Sequence, residues 1–208
     1  DYQTVNFVAD DPSIVIVDND GIVTGIKPGS TFVRANAKDN SGVYALCYVT
    51  VINEIPATGI TVSDSEIYLL PGETKTITYT IKPSNSTDSI KWSSSDEDIA
   101  SVSSSGKITA KRIGVSTVTI MTTSGKTATV TVHVLGLSRT YLEIPIYTQY
   151  SQLVLDGADP ADVRWDVTDI TVCDIQNGVI TARKLGSTSV TATYNGRTVK
   201  ATIKVVPK

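Results

Sequence analysis

The sequence is poor in the residues that carry most enzyme and metal chemistry. Its 208 residues contain one histidine, two cysteines and one methionine, and aromatic residues make up 6%. A lone histidine, His133, cannot supply a repeated Ser–His or Cys–His couple, and no neighbouring ligands accompany it in a zinc-binding pattern. Two cysteines in different repeats cannot form a disulfide framework within either. We therefore expect no catalytic site, no cofactor and no metal site within a module; calcium bound between modules remains an alternative.

Charge and hydropathy argue against two further classes of protein. The chain carries 18 basic and 21 acidic residues, a net charge of −3, and the basic residues are scattered singly. The sequence therefore lacks the cluster of basic residues with which proteins bind the phosphates of nucleic acids. No apolar run reaches the roughly 20 residues that a membrane-spanning helix needs. The sequence thus predicts neither nucleic-acid binding nor membrane insertion within this segment.

Instead, the chain contains one sequence pattern that occurs three times. Each copy contains two glycines eight residues apart, with a short strand pattern between them and an alternating strand after them. The pairs are Gly21 and Gly29, Gly106 and Gly114, and Gly178 and Gly186. A fixed internal pattern is the signature of repeated structural units. The pattern divides the chain into residues 1–53, 54–135 and 136–208, which we call the first, second and third modules.

Strict alternation of apolar and polar residues marks the strands. Residues 127–134, TATVTVHV, place one alanine and three valines on one face, and residues 44–51 and 198–205 repeat the arrangement. Such alternation is typical of half-buried antiparallel strands. Seven short strands separated by turn signals in the second module predict an immunoglobulin-like sandwich. The predicted fold class is all-β: tandem immunoglobulin-like β-sandwiches, of which the first is incomplete at its N-terminus.

The first module begins at the third strand of the pattern, so the sequence given supplies its last five strands. We expect preceding residues of a longer chain to provide the first two strands. A strand donated by a partner chain is the alternative.

Five elements of the second module match the pattern of a known family. They are the Pro71–Glu73 turn, the Trp92 strand, the segment 93–102, the hairpin 106–114 and the closing strand 129–132. In these elements the sequence resembles the bacterial Ig-like domains of group 2. The resemblance extends over nearly the whole chain and is strongest in the second module. Modules of this family build the stalks of adhesins similar to intimin and invasin.

The resemblance implies a non-catalytic, extracellular stalk or adhesion segment of a bacterial cell-surface protein, which presents or contributes to a binding tip. The implied partners are a host or matrix protein or a surface glycan, besides the neighbouring modules of the parent chain. Similar modules also occur beside catalytic domains and in phage tails. Accessory modules of a secreted polysaccharide-degrading enzyme and a phage tail or virion structural module therefore remain alternatives.

A few residues are predicted to mark the cores of the sandwiches. The third-strand aromatic position fills the centre of an immunoglobulin-like sandwich. Both cysteines align with small apolar residues at inward positions, and a buried cysteine behaves as a small unreactive hydrophobe. The predicted core markers are Phe7, Trp92, Trp165, Cys47 and Cys173.

Tyrosines at the front of the third module give the candidate ligand-contact surface. Tyr141, Tyr147 and Tyr150 cluster in sequence, and aromatic faces bind glycans or protein partners. Acidic groups such as 10–11 and 96–98 follow the third-strand aromatic residue. We expect these carboxylates to form side-chain turns with the backbone rather than catalytic pairs.

Overall fold

The alternating segments form β-strands in the computed structural model, which describes residues 5–150 and 152–208. Two units divide the chain: Asp1–Pro56 with Asn85–Thr87, and Ala57–Ser84 with Asp88–Lys208. The second and third modules thus lie in one unit. Residues 85–87 belong to the first unit because the backbone of Ile55 bonds to the side chains of residues 86 and 87.

The first unit is built from five strands. They are β1 (Val5–Ala9), β2 (Val15–Val17), β3 (Val23–Gly25), β4 (Gly29–Ala37) and β5 (Tyr44–Val51). One sheet has the order β1-β4-β5, and β2 pairs with β3 in a second sheet. On the inner side, these strands leave a concavity of about 210 Å³ lined mainly by apolar side chains, Phe7, Val23 and Val33 among them.

The second module adds strands at its front. Its strands are β6 (Gly59–Val62), β7 (Glu66–Leu69), β8 (Thr74–Thr76), β9 (Tyr79–Lys82), β10 (Ile90–Ser94), β11 (Ala100–Val102), β12 (Lys107–Ala110), β13 (Gly114–Thr122) and β14 (Thr127–Val134). One sheet has the order β10-β13-β14-β7. The opposing layer consists of β11-β12-β8 and the pair β6-β9.

The third module repeats this plan. Its strands are β15 (Gly136–Leu137), β16 (Tyr141–Pro145), β17 (Gln149–Tyr150), β18 (Leu155–Asp156), β19 (Arg164–Val167), β20 (Cys173–Gln176), β21 (Val179–Ala182), β22 (Gly186–Tyr194) and β23 (Arg197–Val206). Its larger sheet has the order β16-β23-β22-β19, and β17-β21-β20 and β15-β18 form the other layer. The prediction of tandem immunoglobulin-like sandwiches is confirmed.

The alternation of the sequence accounts for the cores. Val130, Val132 and Val134 of β14 are fully buried, while Thr131 and His133 between them face outward and are half-buried. The first glycine of each repeated pair lies at a hairpin with positive φ, +77° at Gly106. A Cβ there would lie 2.8 Å from the Ile77 carbonyl oxygen and 2.9 Å from the Trp92 ring, so this turn requires glycine.

The predicted core markers differ in how deeply they lie. Trp92 and Cys173 are buried, and Phe7 and Trp165 are half-buried. Cys47 is exposed, so the prediction of a buried thiol is wrong for this residue. Its register is the predicted one, opposite Val33. No described strand of the first unit covers Cys47. In the second module, β6–β9 cover the equivalent positions of β14 and complete the core.

Candidate functional site

The three candidate tyrosines do not share one face. Tyr141 points outward from β16, and its hydroxyl donates a hydrogen bond to Glu143 Oε1 at 2.7 Å. That hydrogen bond lowers the pKa of Glu143, with Lys204 adding to the effect. Tyr147 lies in the turn before β17 with φ of +60° and is 81% exposed. Tyr150 packs against the core of the third module. Their contact with a ligand stays a prediction.

The acidic loops form turns with their own backbone. Asp11 Oδ1 accepts hydrogen bonds from the amide and hydroxyl of Ser13, at 2.9 and 2.6 Å. Asp96 accepts from the Asp98 amide at 2.9 Å, and Asp169 accepts from the amide and hydroxyl of the residue two positions on. The hydrogen bonds lower the pKa of Asp11 and Asp169. These carboxylates therefore stabilise turns, as such side chains commonly do.

Aromatic rings pack across the junction between the second and third modules. The ring of Tyr68, on β7, stacks on His133 of β14 with centroids 4.7 Å apart. Its other neighbour is Tyr194 of β22, at 5.3 Å in an edge-on arrangement. Burial, together with Glu66 and Tyr194, raises the pKa of Tyr68 above its ordinary range. The stack joins side chains from both modules.

Arg197 ties the same junction together through polar contacts. Its Nε donates to the Tyr68 carbonyl oxygen at 3.2 Å, and its Nη1 lies 3.1 Å from Glu73 Oε1. Glu73 in turn accepts a hydrogen bond from the Leu70 amide. A guanidinium with separate donors is suited to such a two-point contact. The third module thus bonds to both the backbone and a side chain of the second.

His133 lies on the outward face of its strand, as the alternation of residues 127–134 implies, but the junction with the third module covers it. Its side chain is 18% exposed. Nδ1 lies 3.2 Å from the carbonyl oxygen of Gly157 in the third module. Nε2 lies 2.7 Å from Glu66 Oε1, a charge contact when the ring is protonated, at an angle outside hydrogen-bond geometry. The alternation of apolar and polar residues in β14 correctly predicts that the His133 side chain points outward. No local sequence pattern indicates which residues it contacts.

Leu135 is the single residue between β14 and β15, and it is a core residue. It is 1% exposed and packs in the core of the third module, against which Tyr68 and Leu70 also pack. Gly136 directly after it is buried as well. A connection of this length has no slack with which to act as a flexible tether. The two modules are therefore joined by packing as well as by the chain itself.

A group of exposed aliphatic and aromatic residues lies on the outward side of the sheet β1-β4-β5, and sequence reasoning missed it. Val8, Phe32, Tyr44, Leu46 and Tyr48 are between 41% and 63% exposed there. We call this surface the outer face of the first unit. The signal was present in the repeat, because the alternation that assigns core positions also identifies the outward ones.

Two kinds of site are absent from the described parts of the chain. Residues 5–150 and 152–208 hold no group of three or more His, Cys, Asp or Glu side chains arranged to bind a metal ion. Over the same ranges, no helix has the length and hydropathy to cross a bilayer.

Strand order, register and the shared junction define a class: tandem immunoglobulin-like β-sandwiches packed end against end in the second unit. The family follows from the second module. Residues 56–132 match the model of the bacterial Ig-like domain (group 2). The second module is a bacterial Ig-like domain of group 2, which confirms the resemblance read from its turn, tryptophan strand and hairpin.

Known proteins contain segments similar to parts of this chain within longer sequences. An uncharacterized protein of Clostridium acetobutylicum is 34% identical over 163 residues, 72% of this chain and 17% of that protein. The lacto-N-biosidase of Bifidobacterium bifidum is 38% identical over 89 residues, 40% of this chain and 8% of the enzyme. The chain therefore spans less than a fifth of these relatives. The structure of invasin, a bacterial integrin-binding protein, aligns with 98% of this chain and 52% of its own at 14% identity and a TM-score of 0.43.

Proposed function

We propose that this chain is a non-catalytic spacer and adhesion segment of an extracellular bacterial surface protein. The observation that carries the proposal is the parallel pairing of an early strand with the last strand in both complete modules. In the second module β7 pairs with β14, from Glu66 opposite Thr131 to Leu69 opposite Val134. In the third, β16 pairs with β23 over five residues.

This pairing gives each module a way to resist tension. In a parallel pair, the chain enters one strand and leaves the other at opposite ends. Pulling on the two ends of the module therefore slides β7 along β14 and loads the hydrogen bonds of the pair together. Each such bond contributes about 1 kcal/mol net to stability, but the pair must lose all of them in one step. A module that holds its length under load suits a stalk.

The junction between the second and third modules should transmit this pulling force directly from one module to the other. Leu135 is buried and Arg197 bridges to Tyr68 and Glu73, so the second and third modules respond as a connected pair. The occurrence of similar segments as a small share of much longer proteins fits an accessory role beside other domains.

Single-molecule pulling on the full chain, tethered at its two ends, tests the spacer role. We expect two abrupt unfolding steps at high force, one for each complete module. Ile67→Pro removes an amide donor from β7 opposite Val132 and should abolish the step of the second module. The matched control Ile67→Ala removes buried side-chain volume but keeps the backbone donor, so its step should persist despite lower thermodynamic stability. Equal loss of the step in both variants would contradict the shear argument.

A second candidate is an accessory module of a secreted carbohydrate-active enzyme. The similarity to lacto-N-biosidase, an enzyme whose name refers to a saccharide, favours this candidate. Sedimentation of the chain with insoluble polysaccharides distinguishes the two candidates. Binding that saturates and is competed by soluble oligosaccharide would support the accessory role, and its absence would leave the surface-protein role preferred.

A further inference from the structure

The three modules present different outward surfaces from equivalent strands. The positions of Phe32, Leu46 and Tyr48 are occupied in the second module by Thr117, Thr129 and Thr131. In the third module they are occupied by Ser189, Lys200 and Thr202. Strands and register are the same, so strand formation does not require large apolar side chains here. Something other than the fold accounts for them in the first unit.

Some of the large side chains on this outer face contact a neighbour. The rings of Phe32 and Tyr48 lie opposite each other on β4 and β5, with centroids 5.1 Å apart and planes tilted by 58°. Leu46 lies opposite Arg34 in the same register. The Arg34 guanidinium lies 5.8 Å from the centre of the Tyr44 ring. Exposed apolar side chains scattered singly are ordinary, but a contiguous group marks an interaction surface.

Two charged side chains of the outer face, Arg34 and Asp10, form an ion pair with each other. Arg34 Nε lies 2.7 Å from Asp10 Oδ1, and Arg34 Nη2 lies 3.0 Å from Asp10 Oδ2. This bidentate contact lowers the pKa of Asp10. The face therefore presents an apolar centre with an arginine beside an aromatic ring, the residue types that are enriched at protein interfaces.

We propose that the outer face of the first unit, formed by Val8, Phe32, Tyr44, Leu46 and Tyr48, binds a protein whose surface has an apolar centre and a basic rim. The proposal deepens the adhesion role, and rests on it, by naming the contact surface and its partner. The basic rim follows from the net charge of the segment that carries the face, since Arg34 and Asp10 on the face itself neutralise each other. Residues 1–56 contain seven acidic and three basic residues, whereas residues 57–208 contain 14 acidic and 15 basic residues.

Two other occupants fit the outer face less well. A second copy of this chain would bring two segments 1–56 together, each with three basic and seven acidic residues and so a net charge of −4, which opposes association. A glycan would need a flat aromatic platform and unpaired polar groups beside it. The Phe32 and Tyr48 rings are tilted, and the Asp10 carboxylate is engaged by Arg34.

The size of the face predicts the strength of the contact. Three strands about 4.8 Å apart and five residues at about 3.4 Å each give a plan area of roughly 250 Å². This area is small beside the roughly 800 Å² per partner of a stable complex, so a single contact should be weak. Repeated copies on a cell surface or bead would strengthen it by avidity. The test therefore uses a multivalent format.

The experiment compares the full chain with a variant that carries the residues of the second module. Phe32→Thr, Leu46→Thr and Tyr48→Thr together install side chains that equivalent strands of this chain already bear. Val115→Thr with Met121→Thr is the matched control, because these residues are 48% and 44% exposed on strand β13 of the second module. Circular dichroism and thermal melts establish that both variants fold. The probe is a yeast-displayed library of folded three-helix scaffolds with one randomised face, screened with bead-coupled chain.

We expect selected scaffolds to combine aromatic or aliphatic residues with lysine or arginine. Their binding should fall at least tenfold with the triple-threonine variant and stay unchanged with the control. Selected scaffolds that bind the triple variant equally well would overturn the proposal. Two other results would also overturn it. One is binding of the wild-type chain to a glycan array that the triple-threonine variant loses. The other is a dimer of the wild-type chain in sedimentation that the three substitutions abolish. The pulling experiment probes the second unit, so failure of the spacer role and failure of this face give separate results.

Discussion

Replacing Leu135 by alanine tests whether the residue between two modules acts as part of a core. Leu135 is 1% exposed and packs among the buried residues of the third module. Removing a fully buried leucine side chain costs about 2–5 kcal/mol, and we expect about 3 kcal/mol here. Ile52 occupies the equivalent position after β5 and is 63% exposed. Ile52→Ala should therefore change stability by no more than about 0.5 kcal/mol.

Urea unfolding followed by tryptophan fluorescence measures the effect in the relevant module. Trp165 reports on the third module, and a Trp92→Phe background isolates its signal. With a slope of about 1–1.5 kcal/mol per molar urea, a loss of 3 kcal/mol moves the midpoint by about 2–3 M. Leu135→Met keeps the volume and should cost less than about 1.5 kcal/mol. A midpoint shift below about 0.5 M for Leu135→Ala would refute the assignment of this residue to the core.

Three further predictions concern thiols, pH and glycines. Native iodoacetamide labelling followed by mass spectrometry should modify exposed Cys47 rapidly and leave Cys173 unmodified, since burial raises the pKa of Cys173 to about 11; equal rates would contradict this. Hydrogen bonding by Ser124 lowers the pKa of Asp88 from 3.8 to about 2, so its contribution to stability is present above pH 4 and is lost as the pH falls towards 2. Asp88→Asn should flatten the melting temperature over that range, and an unchanged slope would count against it. Gly106→Ala should destabilise the second module by more than about 1 kcal/mol in urea unfolding, and by more than Gly125→Ala, which has similar φ but open space around its Cβ.

Local patterns in the sequence determine much of this fold. The glycine pairs locate the hairpins because positive φ at a crowded turn excludes other residues, as at Gly106. Alternation gives the inward direction of Val130, Val132 and even Cys47, since direction depends only on the register of the strand. Burial depends also on what covers the strand, and for this reason the prediction for Cys47 was wrong.

Features that depend on distant partners could not be read in the same way. Strand β7, Glu66–Leu69, pairs in parallel with a strand more than 60 residues away, and its four residues carry no local signal of that partner. The contacts of Tyr68 with Tyr194 and Arg197 likewise join two modules. The outer face of the first unit could have been found, because comparing Phe32 with Thr117 needs only the internal alignment.

Leu135 also determines where this chain can be cut and rejoined. A recombined segment that begins at Gly136 lacks the Leu135 side chain, which packs in the core of the third module. A segment that begins at Leu135 includes this side chain. Genetic exchange that duplicates or swaps the third module thus preserves its packing only when the crossover falls before this leucine. After Val51 the same crossover loses no buried side chain, because Ile52 is exposed. The two boundaries of one repeat are therefore unequal sites for recombination.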